Sequence, residues 1–266
     1  MQPVLNIAIR AARSAGAHIV RQMERVDSLS VTAKGHNDFV SEVDRRAEQI
    51  IIDTIRKAHP EHGILAEESG QQGGDENIWI IDPLDGTTNF LHNFPHFAVS
   101  IALQHRSQIT HAVIFDPVRQ ELFTASRGEG AQLDNRRIRV SRRSNLESAL
   151  LGTGFPFREL SNLDGYLSTL QAFLPNCAGI RRAGSAALDL AYVAAGRLDG
   201  FWEFGLKQWD MAAGALLILE AGGFVSDAHG GESYLDKGDI VAGNPKIAKK
   251  MLQKLHPLIA GKNPKS

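Results

Sequence analysis

The spacing of apolar residues changes along this chain, and that change restricts the folds open to it. Apolar residues recur at helical spacing from Val4 to Met23 and again from Val43 to Ala58. They are followed by short apolar runs bounded by turn residues, at 63–66, 78–82, 97–104, 109–115, 121–125 and 131–140. We therefore expect two amphipathic helices followed by a mainly antiparallel sheet.

After about residue 145, strand-like runs alternate with helical patterns. The expected strands are 149–152, 179–182, 200–204, 223–226 and 240–242, and the expected helices are 163–173, 185–195, 209–221 and 245–255. Such patterns are typical of helices layered against sheets. We predict an α/β fold (α+β layered) of alternating helix and sheet layers, in two subdomains, 1–145 and 146–266, that share an interface.

Charge and cysteine content exclude several classes of function. A net charge of −1 gives no protein-wide field that gathers nucleic acid or an anionic membrane, so such binding needs a local patch. The single cysteine, Cys177, excludes an intramolecular disulfide and a cysteine-based zinc cluster. Arg10 and Arg13 interrupt any signal-peptide core, and no apolar run is long enough to span a bilayer. We expect a cytoplasmic protein with no membrane partner.

An acidic run follows the buried-strand pattern Trp79-Ile80-Ile81, and reads Asp82-Pro83-Leu84-Asp85-Gly86-Thr87-Thr88-Asn89. The proline is incompatible with a helix, which puts Asp82 at the carboxyl end of a strand. Gly86 permits a tight turn whose following amides point outward as an anion site. Asp82 and Asp85 can reach one hard cation or two neighbouring ones, with the Leu84 carbonyl as a further ligand. Taken alone, the segment also fits an ordinary turn.

Further carboxylates follow other predicted elements, and each has a simpler interpretation. Glu67 emerges after the strand at 63–66, where two glutamates are usually a solvated loop. Asp210 stands at the start of an almost wholly apolar helix, either as its N-cap or as an inward carboxylate. Asp44 forms a capping-box pattern with Ser41.

Two motifs give the sequence a specific resemblance. The chain resembles the lithium-inhibited inositol monophosphatase family, which shares an Asp-Pro-x-Asp-Gly-Thr-Thr-Asn run and a Trp-Asp-x-Ala-Ala-Gly run. Both occur here, at 82–89 and 209–214, with Glu-Glu-Ser at 67–69, and the resemblance extends over nearly the whole chain. It implies an inositol-monophosphatase-like fold and an enzyme that hydrolyses phosphomonoesters with Mg²⁺ and a metal-activated water.

The resemblance also implies a site. Two to three Mg²⁺ ions would be held by Glu67, Asp82, the Leu84 carbonyl, Asp85 and Asp210. The implied catalytic residues are Thr87, Asp44 and Glu67. The implied substrate-binding residues are Gly86, Thr87 and Thr88 for the phosphate, and Gly184, Ser185, Ala186, Glu203 and Asp210 for the alcohol.

The identity of the alcohol is less constrained than the metal core. The 184–186 pattern together with Glu203 favours inositol-1-phosphate, although an exposed strand residue is the other interpretation of Glu203. Fructose 1,6-bisphosphate, a 3′-phosphoadenylate and histidinol phosphate remain alternatives within the family.

Clustered arginines suggest a second function. Five arginines occur in the eight residues 136–143, and Arg181 and Arg182 form another pair. A solvated strand face is one interpretation, and a contact with RNA or an acidic protein is the other. Bacterial members of the family with similar length and motifs include accessory factors of ribosomal RNA transcription antitermination, and hence of ribosome biogenesis. The resemblance thus implies an alternative role in binding RNA polymerase, Nus proteins or RNA, with phosphatase activity secondary, and it implies a homodimer.

Overall fold

The structure is a computed structural model that describes residues 3–26, 31–35, 38–74, 76–156 and 160–259, with the backbone alone for 31–35 and 38–40. Its helices are α1 (Pro3–Met23), α2 (Glu42–Arg56), α3 (Thr87–Leu91), α4 (Leu163–Phe173), α5 (Ala186–Ala194), α6 (Gln208–Glu220), α7 (Tyr234–Lys237) and α8 (Pro245–Ile259). Its strands are β1 (Val31–Gly35), β2 (Asp38–Ser41), β3 (Gly63–Ala66), β4 (Gly70–Gln72), β5 (Asn77–Asp85), β6 (Ala98–His105), β7 (Gln108–Asp116), β8 (Glu121–Ser126), β9 (Gly130–Leu133), β10 (Arg136–Arg137), β11 (Leu150–Thr153), β12 (Gly179–Arg181), β13 (Gly200–Glu203), β14 (Phe224–Ser226) and β15 (Ile240–Gly243).

The strands form two large sheets and a hairpin. Eight strands pair in the order β10-β9-β8-β7-β6-β5-β3-β4, and every pair is antiparallel except β3 with β5. Five strands pair in the order β12-β11-β13-β15-β14, with β11 parallel to both of its neighbours. The separate hairpin joins β1 and β2. The mainly antiparallel sheet expected before residue 145 is confirmed.

Helices cover the sheets in alternating layers. Along β5, Trp79 and Ile81 pack with α1 and α2, whereas Ile80 faces the opposite way and packs with α5 and α6. The core around α5 and α6 also includes Phe201 and Ala242 of the five-stranded sheet. α4 and α8 cover that sheet's other face. The order is helix, sheet, helix, sheet, helix, which confirms the predicted layered fold class.

The central helix layer explains why α6 is apolar around its circumference. Residues 211–218 are all buried, because a helix between two sheets has no solvent-facing stripe. Gly214 permits close packing with α5, since a Cβ there would lie 2.5 Å from Leu190 Cβ. A subdomain boundary near residue 145 stays a prediction, because both sheets share this core.

Most predicted elements are confirmed, and the main difference lies at 131–140. That run was expected to be one strand, but β9 ends at Leu133 and β10 pairs back onto it. Asp134 and Asn135 have φ angles of 48° and 62°, which reverse the chain as a two-residue hairpin turn requires. Within the described ranges, no helix combines the length and apolarity needed to cross a membrane.

Candidate active site

Asp82 lies in the last part of β5, at a break in the sheet. The register with β6 shifts between Asp82 and Asp85, because Pro83 has no N–H for the ladder. The Leu84 N–H donates to Asp82 Oδ1 at 3.0 Å, and Asp82 is only 2% exposed. The carboxylate is therefore fixed inside the protein at the point where regular pairing stops.

Three other carboxylates act electrostatically on Asp82. Burial, followed by the negative charges of Glu67, Asp85 and Asp210, raises the pKa of Asp82 well above its usual range. Among the described residues, no three His, Cys, Asp or Glu side chains form a compact metal-ligand group. The donors around Asp82 are all oxygens, however, and this is the ligand chemistry that suits Mg²⁺.

Glu67 is positioned by a residue that the sequence did not reveal. The Glu67 N–H donates to the Ile81 carbonyl at 3.2 Å, which continues the β3–β5 pairing beyond the end of β3. The next N–H, of Glu68, donates to Glu48 Oε2 at 2.8 Å. Glu48 lies on α2 and is 3% exposed. A buried carboxylate of the outer helix layer thus holds the loop that carries Glu67.

Asp85 connects strand β5 to the start of α5. Its Oδ2 accepts a hydrogen bond from Ser185 Oγ at 2.6 Å and another from the Ala187 N–H at 2.7 Å. Ser185 is also the N-cap of α5, because its Oγ accepts from the Leu188 N–H at 3.3 Å. A predicted metal ligand and a predicted substrate-binding residue are therefore in direct contact.

Asp210 is not the N-cap of α6, and that interpretation of the sequence is wrong. The helix begins at Gln208, so Lys207 is the N-cap and Asp210 occupies the third helical position. Asp210 Oδ2 accepts from the Lys207 N–H at 2.7 Å. Its side chain also lines the cavity described below, so Asp210 combines a local helix-start bond with a position in the site.

Asp44 contacts both Ser41, in a capping box, and Thr87, the implied catalytic threonine. Its Oδ2 accepts from the Ser41 N–H at 2.8 Å and from the Ser41 hydroxyl, which completes a capping box at α2. Its Oδ1 accepts from Thr87 Oγ1 at 2.8 Å. Burial raises the pKa of Asp44, and the hydrogen bonds from Ser41 and Thr87 oppose that shift.

Gly86 begins the turn between β5 and α3 with a φ of 103°. A Cβ there would lie 3.0 Å from both the His96 carbonyl oxygen and Phe97 Cβ, so only glycine fits. Asn89 fixes the far side of this turn, since its Nδ2 donates to the His96 carbonyl at 2.7 Å and to the Ala183 carbonyl at 2.9 Å. The first amides of α3 have no partner within the helix.

A cavity of about 200 Å³ opens beside these groups. It brings together most of the residues predicted to bind substrate, and its lining includes Asp85, Thr88, Gly184, Ser185, Ala186, Glu203 and Asp210. Burial, and then the charges of Asp210 and Asp189, raise the pKa of Glu203 well above its usual range. A Cβ on Gly154 would lie 1.8 Å from Glu203 Oε1, so this glycine makes room for the carboxylate.

Two residues of the cavity region were not assigned to it from the sequence. Arg182 lines the cavity, with its Cζ 5.4 Å from the centre of the Phe155 ring, and its charge counteracts the raised pKa of Glu203 and of Asp189. Asp189 is 2% exposed on α5. The pattern Arg181-Arg182 gave no sign that its second member contacts Phe155 at the cavity, and a single aspartate in an apolar helix gave no positional signal.

The comparisons with known proteins agree with this geometry. A family model described as the inositol monophosphatase family matches residues 1–260. The chain belongs to the inositol monophosphatase family. The matched residues include both sheets and all the residues of the candidate site.

Relatives in this family carry names of two kinds. The chain is 60% identical over 263 residues to the Nus factor SuhB of Pseudomonas aeruginosa, with 97% of both chains covered. The crystal structure of the extragenic suppressor protein suhB from Bartonella henselae has a TM-score of 0.93 at 50% identity, and covers 96% of this chain and 98% of that one. The inositol monophosphatase from Anabaena has a TM-score of 0.83 at 38% identity, with 95% of both chains covered. The resemblance to bacterial members of the family is confirmed.

Proposed function

We propose that this family member is a Mg²⁺-dependent phosphomonoesterase that hydrolyses inositol-1-phosphate and related polyol phosphates. One observation carries the proposal. The negative charges of Glu67, Asp85 and Asp210 act on the buried Asp82, and Asp85 and Asp210 line a cavity that also holds Glu203 of the second sheet. The negative charges are stabilised when cations neutralise them, and a phosphate ester supplies further oxygen ligands.

The proposed ligands of two to three Mg²⁺ ions are Glu67, Asp82, the Leu84 carbonyl, Asp85 and Asp210. When bound, Mg²⁺ supplies a water of lowered pKa and charge stabilisation for the leaving oxygen. The Leu84 carbonyl oxygen lies 3.1 Å from Thr87 Oγ1, so the proposed ligand and the proposed catalytic threonine belong to one turn. Asp85 is oriented by Ser185, which keeps it directed toward the cavity edge.

Thr87 is proposed to orient the attacking water. Its hydroxyl proton is directed to Asp44 Oδ1, so the lone pairs of Oγ1 remain to accept a hydrogen bond from a water. A water held in this way presents its own lone pair to phosphorus. The amides of Gly86, Thr87 and Thr88 are proposed to donate to the phosphate oxygens, as preorganised donors at a helix start. Glu67 would help to hold the water.

Glu203 and the 184–186 turn are proposed to bind the alcohol. A cavity of about 200 Å³ fits a single polyol ring better than a nucleotide. Carboxylate oxygens of Glu203 and Asp210 accept hydrogen bonds from hydroxyls, whereas backbone groups at Gly184 and Ala186 meet others. This argument favours inositol-1-phosphate over the larger family alternatives.

A substrate panel with Mg²⁺ titration and Li⁺ inhibition tests the proposal. We expect inositol-1-phosphate to be cleaved fastest, and Asp85→Asn to reduce kcat/KM at least about 10²-fold, the loss typical of removing one stabilising group. Asp53→Asn, on the exposed face of α2, is the matched control and retains activity. Full activity of Asp85→Asn, or activity without metal, would disprove the mechanism.

A second function is favoured by the names of the relatives. Proteins that match 97% and 95% of this chain are named Nus factors, so we propose that it also contacts the transcription antitermination machinery in the cytoplasm, as a homodimer. Exposed leucines within residues 160–174 support dimerisation: Leu160, Leu163, Leu167 and Leu174. Binding to purified Nus proteins by Asp85→Asn, and sedimentation at micromolar concentration, test these two points. Loss of binding with loss of catalysis would contradict a separate role.

A further inference from the structure

The arginine-rich segment 136–143 does not lie alone on the surface, because a buried asparagine ties it to α8. Asn244, 3% exposed, immediately precedes that helix. Its Nδ2 donates to Ser141 Oγ at 2.9 Å and to the Arg143 carbonyl at 3.1 Å. Its Oδ1 accepts from the Lys246 and Ile247 N–H groups, both at 3.1 Å. One side chain thus joins the segment to the first turn of the helix.

The joined helix is also basic. Its buried positions are Ile247, Ala248, Met251 and Leu255. The lysines alternate with them: Lys246 and Lys249 are exposed, and Lys250 and Lys254 are half-buried. No acidic residue follows Asp239 in the sequence. Because the buried positions occupy one side of the helix, the lysines share the solvent side.

The arginines of the segment are exposed as well. All five, Arg136, Arg137, Arg139, Arg142 and Arg143, have exposed side chains. Arg143 pairs with the buried Asp199 at 3.3 Å and therefore has a structural role. The remaining arginines and the first three lysines of α8 form what we call the basic surface: Arg136, Arg137, Arg139, Arg142, Lys246, Lys249 and Lys250.

An exposed aromatic ring lies beside the basic surface. Phe224, on the edge strand β14, is 37% exposed and pairs with Gly243, the residue before Asn244. Gly223, which precedes Phe224 in the chain, packs against the arginine segment, since a Cβ on Gly223 would lie 2.8 Å from Val140 Cγ1. Phe224 therefore stands where the segment and α8 meet.

We propose that the basic surface with Phe224 binds single-stranded nucleic acid, and RNA is the probe used to test it. Cations along an extended segment and a helix match a phosphodiester backbone, and an exposed aromatic ring offers a base a stacking platform. An acidic protein segment would use the charges but not the ring, so the aromatic residue distinguishes the two partners. This inference deepens the second function proposed above and rests on it for its biological setting.

The experiment measures binding of a fluorescent 20-nucleotide RNA to the full chain by anisotropy over a range of salt concentrations. Removing four exposed charges in R139Q/R142Q/K246Q/K249Q should weaken binding at least about tenfold and reduce the slope of log K against log salt by up to about 3. The matched control R10Q/R45Q/R46Q/K57Q removes four exposed charges from α1 and the α2 region and should change neither quantity.

Aromatic variants separate stacking from charge. Phe224→Ala should weaken RNA binding about fivefold or more without changing the salt slope, whereas Phe94→Ala, at a ring 54% exposed elsewhere, should have no effect. Equal affinity of the four-charge variant and the unmodified chain overturns the proposal. Binding of polyglutamate of matched charge as tightly as RNA would also overturn the proposal.

The outcomes also separate this inference from the functions on which it depends. Phosphatase activity of the four-charge variant should be unchanged, because none of its residues lines the cavity. A chain that binds Nus proteins but no RNA retains the second function and overturns the inference. A chain that binds RNA through this surface but no Nus protein supports the inference and overturns that function.

Discussion

Asp44 is hydrogen-bonded to Ser41 through one carboxylate oxygen and to Thr87 through the other, at 2.8 Å from Thr87 Oγ1. The first contact closes the start of α2, and the second reaches the turn that follows β5. Because Ser41 donates two bonds to Oδ2, the carboxylate cannot rotate without breaking the cap. The helix cap therefore fixes the direction in which the Thr87 hydroxyl donates.

Variants at the two ends of this relationship should have different effects. Thr87→Val removes the hydroxyl, and we expect kcat to fall about 10²-fold or more, with little change in the melting temperature. Ser41→Ala removes one bond to Asp44 and the cap of Val43, and we expect a loss of about 1 kcal/mol in the free energy of unfolding. Steady-state kinetics and urea denaturation measure the two quantities.

Thr87→Ser is the control, because it keeps the hydroxyl and should keep most of kcat. Asp44→Asn should lose both properties, since asparagine has one acceptor oxygen and a donor-only nitrogen and so cannot accept from both Ser41 and Thr87. If Asp44→Asn reduced stability but left kcat unchanged, the pairing with Thr87 would have no catalytic role.

Gly86 offers a test of the proposed phosphate turn. Gly86→Ala adds a Cβ at a φ of 103° and within 3.0 Å of the His96 carbonyl oxygen, so we expect lost activity and a loss of stability above 1 kcal/mol. Gly128→Ala has a similar φ of 81° but meets no atom within 4 Å, so it should cost about 1 kcal/mol and no activity. Equal effects of the two substitutions would show that backbone strain alone, and not the turn's surroundings, matters at Gly86.

The sequence predicted the layered fold and the ligand candidates better than it predicted how they are held. Helical and strand periodicity reports which face of an element is buried, so α1, α2 and the strands of both sheets were found. The contact of Glu48 with the Glu67 loop joins positions 20 residues apart, and that of Asp85 with Ser185 joins positions 100 apart. No local pattern encodes such contacts, because they arise when layers pack.

Arg181 and Arg182 show the same limit within one dipeptide. In the sequence both belonged to an exposed basic pair, but Arg182 lies over Phe155 and lines the cavity with Glu203. We expect Arg182→Gln to raise KM for inositol-1-phosphate about tenfold, because the positive charge that opposes Glu203 and Asp189 beside the anionic substrate would be lost. Arg181→Gln, outside the cavity lining, is the adjacent control. Equal KM values for the two variants would place Arg182 outside the substrate site.

Gly154 tests whether Glu203 binds the alcohol. Its substitution by alanine would put a Cβ 1.8 Å from Glu203 Oε1 and displace the carboxylate. We expect KM for inositol-1-phosphate to rise at least about tenfold, the effect of losing one charged hydrogen bond, whereas hydrolysis of p-nitrophenyl phosphate, which has no hydroxyls to bind, should change little. Glu203→Gln should give the same contrast. A parallel loss with both substrates would instead indicate damage to the metal site.

His96 makes stability depend on pH in a direction set by its burial. It is 6% exposed, its Nε2 has no hydrogen-bond partner in the part of the chain that the structure describes, and burial, reinforced by the charge of Arg119, lowers its pKa from 6.5 to about 4. Between these values the unfolded chain binds a proton that the folded chain does not. Neutral His96 therefore leaves the free energy of unfolding at its full value above pH 6.5. As the pH falls toward 4, the free energy of unfolding decreases by at most about 3 kcal/mol.

His96→Phe should remove this dependence. The ring keeps its packing beside Tyr192, at a centroid separation of 6.1 Å for the histidine, but it cannot take up a proton. We expect the free energy of unfolding, measured by urea titration from pH 4.5 to 7.5, to fall less steeply on acidification in His96→Phe than in the unmodified chain. His105→Phe, at an exposed histidine, should follow the unmodified chain. Parallel curves for His96→Phe and the unmodified chain would show that His96 is protonated equally in the folded and unfolded states, and that its unpartnered nitrogen is reached by water.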